Sequence, residues 1–108
     1  MGDVDFDPYN KNNAVAVIYK FDPIQNQHYY QIIYSQDGGQ TWKPETGLGR
    51  QYGLNSRIEE TYIPGKKDWL YASCAAQGGK VWISKNGGRS FSLVTLPGYI
   101  TGVSWYNN

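Results

Sequence analysis

Asp3, Asp5, Asp7, Asp22, Glu45, Glu59, Glu60 and Asp68 are the residues of this chain best able to do acid–base chemistry. Two carboxylates facing one cleft can hydrolyse a glycosidic bond, one protonating the leaving oxygen while the other attacks or activates water. No spacing here supplies that pair. Glu59 and Glu60 are adjacent, and neighbours on a strand point to opposite faces. His28 is the only histidine and has no Ser or Cys pattern of a nucleophilic triad. Cys74 is the single cysteine, so it makes no internal disulfide and has no CxxC partner for a metal. It lies in the apolar run from Leu70 to Ala76, where a buried, inert thiol is expected. Gly78-Gly79-Lys80 lacks the rest of a phosphate loop and reads as a hairpin turn. These residues imply neither a metal nor a cofactor and favour a non-catalytic protein.

Binding chemistry is better represented. The chain carries ten Tyr, four Trp and three Phe among 108 residues. Aromatic faces stack on the C–H surfaces of sugars, and Asn, Gln and Asp meet the hydroxyls. Tyr30, Tyr52, Tyr99 and Trp105, with Arg57, are the candidate ligand-binding residues. Tyr52 lies in a Gly-rich stretch and is the one packing explains least. Trp69, Trp82 and Trp105 are expected in core or inter-sheet packing. The net charge of +1 excludes a nucleic-acid binder that works by neutralising phosphates, which needs a basic stripe. No apolar run reaches membrane-span length, and no signal peptide is read at the N-terminus.

The elements that must position these residues are strands. Thirteen Gly, many Asn and Gln and the aromatic content describe an all-β, turn-rich chain, and no helical periodicity is present. An internal repeat organises it. Ser35-Gln36-Asp37-Gly38-Gly39-Gln40-Thr41-Trp42 returns 49 residues later as Ser84-Lys85-Asn86-Gly87-Gly88-Arg89-Ser90-Phe91. Each copy is flanked by β-prone runs, Gln31 to Tyr34 and Lys80 to Ile83 before it, Lys43 to Glu45 and Ser92 to Thr95 after it. Each is therefore read as a hairpin loop. Upstream, Ala14 to Tyr19 and Trp69 to Ala75 read as buried strands, preceded by strands at Val4 to Phe6 and Ile58 to Tyr62 and by turns at 7–13 and 64–68. Tyr99 to Tyr106 reads as a ninth strand. Residues 21–30 and 47–56 are expected to be surface loops.

The repeated pattern S-x-D-x-G-x-T-W resembles the Asp-box, or bacterial neuraminidase repeat. Ser35, Asp37, Gly39, Thr41 and Trp42 match it fully. The second copy keeps Ser84 and Gly88 and substitutes Asn86, Ser90 and Phe91. The resemblance implies a β-propeller with a four-stranded blade at about 3–46, a second at about 57–97 and an extra strand at about 99–106, all one domain. Within each box, Asp37 or Asn86 is expected to accept hydrogen bonds from loop amides, and Gly39 or Gly88 to supply a positive φ. The Ser35 and Thr41 hydroxyls would bridge the strand ends, with Trp42 or Phe91 sealing the loop. The box is thus a fold staple, not a catalytic group.

Families that resemble this chain include sialidases, xyloglucan-cleaving glycosidases, sortilin-type receptors and a photosystem assembly factor, so the fold does not choose the function. A sialidase needs an arginine triad. This chain has only Arg50, Arg57 and Arg89, and Arg89 sits inside a box. The resemblance implies an extracellular or cell-surface location. Two blades do not close a ring and leave apolar faces open. The leading expectation is a non-catalytic interaction module that completes a propeller by self-association or by docking into a larger assembly. The alternatives are a carbohydrate-binding, lectin-like module and a fragment of a glycosidase propeller.

Overall fold

The computed structural model describes residues 4–77 and 80–95. Every regular element among them is a strand, and no helix is long and apolar enough to cross a membrane. The expected strand at Tyr99 to Tyr106 lies outside the described residues, as do Tyr99 and Trp105.

The first sheet is an antiparallel meander of β1 (Val4–Asp7), β2 (Asn10–Asp22), β3 (Gln27–Ser35) and β4 (Lys43–Pro44), with β5 (Gln51–Tyr52) also pairing to β3. The second is a meander of β6 (Ile58–Tyr62), β7 (Leu70–Cys74), β8 (Lys80–Ser84) and β9 (Ser92–Thr95). The repeated boxes are the β3–β4 and β8–β9 hairpin loops, as their flanks predict.

Three expected loops are more ordered than the sequence suggests. The turn at 7–13 tightens to Pro8–Tyr9, because Asp7 already pairs with Asn10 and its Oδ1 accepts the Tyr9 N–H at 2.8 Å. Residues 21–30 are mostly strand. Phe21 pairs with His28 and Asp22 with Gln27, leaving Pro23–Asn26 as the turn. Asp22 Oδ1 accepts the Ile24 and Gln25 amides, and Asn26 takes φ 53°, a conformation Asn tolerates better than most residues. The stretch 47–56 holds β5, whose Tyr52 and Gln51 pair with Tyr29 and Tyr30.

Strand alternation gives each sheet two faces. Registers identify equivalent faces in the two repeats. Ala14 lies opposite the box residue Ser35, and Leu70 lies opposite Ser84. Phe6 lies opposite Ala14, and Tyr62 opposite Leu70. The A face of sheet one therefore carries Phe6, Ala14 and Ile33. Its counterpart on sheet two carries Tyr62, Leu70 and Trp82. The B face of sheet one carries Val15, Val17 and Ile32, matched on sheet two by Tyr71, Ser73 and Val81.

The core forms where unlike faces meet. Val15 and Ile32 from the B face of sheet one pack with Ile58, Leu70, Ala72, Cys74 and Trp82 from the A face of sheet two, closed by Leu48 and Phe91. Val17, Tyr30, Tyr34 and Tyr62 border this cluster. The sheets thus stack in series, A onto B, and the A face of sheet one and the B face of sheet two remain free of each other.

Candidate functional site

The first box is built as its residue types require. Asp37 Oδ1 accepts the Gln40 and Thr41 amides at 3.0 and 2.9 Å and the Ser35 hydroxyl at 2.8 Å, while Oδ2 accepts the Thr41 hydroxyl at 2.5 Å. The Thr41 hydroxyl, then the Thr41 amide, Ser35 and the Gln40 amide, hold the Asp37 carboxyl down at about 2. Ser35 Oγ accepts the Gly39 amide at 2.9 Å, and Trp42 Nε1 donates to the Gly39 carbonyl at 2.9 Å, laying the indole over the loop.

The second box has the same geometry with one bond reversed. Asn86 Oδ1 accepts the Ser84 hydroxyl and the Ser90 amide at 2.9 and 3.0 Å, but its Nδ2 donates to Ser90 Oγ at 2.8 Å. An amide can donate where a carboxylate only accepts, and the Ser90 hydroxyl rotates to suit. Gly38 and Gly39 take φ 75° and 94°, and Gly87 and Gly88 take 75° and 93°.

The two boxes differ in surroundings. Gly87, Gly88 and Phe91 are buried, whereas Gly38 is exposed and Gly39 and Trp42 are half-buried. Sheet one makes the difference. A methyl group on Gly88 would collide with Val15 Cγ1, and one on Gly87 would touch Asn13, while one on Gly38 would meet nothing within 4 Å. The Phe91 amide donates to the Thr46 carbonyl at 2.8 Å, and Thr46 N–H donates to the Arg89 carbonyl at 3.1 Å. Phe91 therefore belongs to the inter-sheet core rather than serving only to seal its own loop.

The candidate ligand-binding residues do not form one site. Tyr52 is half-buried and its hydroxyl donates to Asp22 Oδ2 at 2.7 Å, with its ring 5.7 Å from that of Tyr29. Arg50 donates to the same Asp22 oxygen at 2.9 Å and lies 4.3 Å above the Tyr29 ring. The Tyr52 hydroxyl leads the groups that lower the Asp22 pKa. This Asp22–Arg50–Tyr52–Tyr29 staple fixes β5 to the first hairpin and explains Tyr52 by packing. Tyr30 is half-buried beside the core, 4.6 Å from the Tyr19 ring. Arg57 is exposed ahead of β6. His28 is exposed and stacks on Tyr19 at 4.9 Å.

The carboxylates are dispersed. Glu45 is buried and accepts the Leu48 and Gly49 amides at 3.0 and 2.8 Å, and burial pushes its pKa up. Burial, followed by the Asp7, Glu60, Asp5 and Asp68 charges, pushes the Tyr62 hydroxyl up. Cys74 is a buried free thiol, raised by burial. Among the described residues no group of three or more His, Cys, Asp or Glu is placed to hold a metal ion.

Trp82 is buried as expected, but Trp69 is half-exposed at the rim of an open groove of about 420 Å³. Ile83, Ser92 and Val94 floor the groove on the B face of sheet two, and Lys85, Asn86 and Ser90 border it. Lys66 and Lys85 place their ammonium groups 5.2 and 4.7 Å from the Trp69 ring. On the far side of the molecule the A face of sheet one exposes Val4 at 48% and Phe6 at 50%.

Comparison with family models, with curated proteins and with solved structures finds no match to this chain.

Proposed function

We propose that this chain is a non-catalytic interaction module, a two-blade Asp-box unit of β-propeller type that completes its stack of sheets against a partner. The observation that carries the reading is the serial packing of unlike faces. An A face sits on a B face inside the chain, so among the described residues one face of each kind has no second sheet on it, at opposite ends. Serial stacking of repeated meanders is how propeller blades pack, and radial repetition is how such sheets protect their edges. Each box staples the loop between the third and fourth strands of its meander.

Sedimentation equilibrium of the purified chain tests this reading. A particle heavier than one chain, or a single chain that binds a hydrophobic dye on its open faces, is the expected result. A dye-silent, stably folded single chain contradicts it.

A second reading, a carbohydrate-binding module, is favoured by the Trp69 groove, where an aromatic face meets Asn86, Ser90 and Ser92. A glycan array decides it, with quenching of Trp69 fluorescence as the sign of a hit and an empty array as the contrary result.

A further inference from the structure

The same box turn is docked in one repeat and undocked in the other. Box two presses its buried Gly87–Gly88 tip and Phe91 against the B face of sheet one, at Asn13 and Val15. Box one offers the same backbone, with φ values within a degree, and among the described residues its Gly38–Gly39 tip meets no second sheet. Beside that tip lies Phe6, exposed, and farther along the same A face Ile18 and Ile33 are half-buried between the buried Ala14, Ala16 and Tyr29. The counterparts of Phe6, Ile18 and Ile33 on sheet two, Tyr62, Cys74 and Trp82, belong to the inter-sheet core or border it. The surface this A face fits is thus known from within the molecule: a B face of the same repeat. Among the described residues no second sheet covers the B face of sheet two, where Val81 is buried, Tyr71 and Ile83 are half-buried and Val94 is 42% exposed around the Trp69 groove.

We infer that the partner is a second copy of this chain, stacked head to tail, with the A face and box-one tip of one copy on the B face of sheet two of the next. The inference rests on the serial-stacking reading above. Within the chain Asn13 and Val15 receive the box-two tip. Register makes Trp69 and Tyr71 their counterparts, so the box-one tip of the next copy lands beside the groove. The contact is heterologous, because the two surfaces differ, and repetition of one heterologous step either closes a ring or extends a filament.

Phe6→Glu and Val94→Glu disable one face each. Both residues are exposed on edge strands, so both variants keep the single-chain fold, which circular dichroism of each confirms. In sedimentation velocity at tens of micromolar, the parent chain is expected to run as a multi-chain particle and each variant alone as one chain. Their equimolar mixture is expected to run at twice the chain mass and no more, because only one intact A face and one intact B face remain. A folded, single-chain parent overturns the second-copy inference and leaves docking to a different partner standing. A variant that still dimerises alone overturns the head-to-tail arrangement. A mixture of single chains beside an associating parent overturns the assignment of faces, and the serial-stacking reading with it.

Discussion

Ser84→Ala separates the two boxes energetically. Ser84 Oγ accepts the Gly88 amide at 2.9 Å and the Asn86 amide at 3.4 Å, and donates to Asn86 Oδ1 at 2.9 Å. Ser84 is fully buried, and Gly88 lies under Val15. Alanine leaves the Gly88 N–H without an acceptor where water does not reach, a loss of about 1–3 kcal/mol. Ser35 makes the matching bonds to Gly39, Asp37 N and Asp37 Oδ1 at 2.9, 3.3 and 2.8 Å. Gly39 is half-exposed, however, so water takes over its amide, and the exposed Asp37 carboxylate regains water in place of the Ser35 hydroxyl, so Ser35→Ala costs only about 0.5–1.5 kcal/mol. For a domain of this size each kcal/mol moves the melting temperature by roughly 4–8 °C. Thermal unfolding followed by tryptophan fluorescence, at a dilution where the chain is single, is expected to show Ser84→Ala melting several degrees below Ser35→Ala. Equal melting temperatures, or a larger loss for Ser35→Ala, would refute the claim that burial distinguishes the two boxes.

The boxes also differ in titration. The Asp37 carboxyl is depressed from 3.8 to about 2, so its contribution is complete above the ordinary value and is lost as pH falls through about 2. The Thr41 amide resonance is expected to titrate with a midpoint near 2, while the Ser90 amide, bonded to the uncharged Asn86, does not follow it. Gly88→Ala is expected to destabilise far more than Gly38→Ala, because both force an L residue to positive φ but only the first drives a methyl into Val15. Paired denaturant titrations compare them, and partial rescue of Gly88→Ala by Val15→Ala checks the cause. Tyr52→Phe removes the leading donor to Asp22, and the Asp22 carboxyl is expected to titrate upward while Arg50 stays paired. Carboxyl NMR titration reads that shift, and an unmoved Asp22 would contradict the staple.

The strands and both boxes were legible because they rest on local chemistry. An Asx side chain, a pair of glycines and flanking β-prone runs write a hairpin into eight residues. The length of β2 was not legible, because the Asp22-Pro23 turn signal and the polar Gln25 to His28 read as one loop, whereas Lys20, Phe21 and Asp22 continue the strand by pairing with Gln27 to Tyr29. Strand β5 was hidden for the same reason, since Gln51 and Tyr52 become a strand through their partners on β3 and through Asp22, 30 residues away. Tyr52 reads as a ligand residue until that distant carboxylate is seen. Trp69 and Trp82 look alike in sequence, and only register shows that Trp82 points into the inter-sheet core while Trp69 borders the open groove. The burial difference between two nearly identical boxes is a tertiary property that no local pattern encodes.

That difference is also the most direct handle on the central claim. Amide exchange followed by mass spectrometry compares peptides spanning 35–42 and 84–91 in one chain, across a range of protein concentrations. Serial stacking predicts that 84–91 is protected at every concentration and that 35–42 gains protection as the chain associates, approaching its counterpart. A 35–42 segment that stays equally open at all concentrations, or a 84–91 segment no better protected than it at high dilution, would contradict the account.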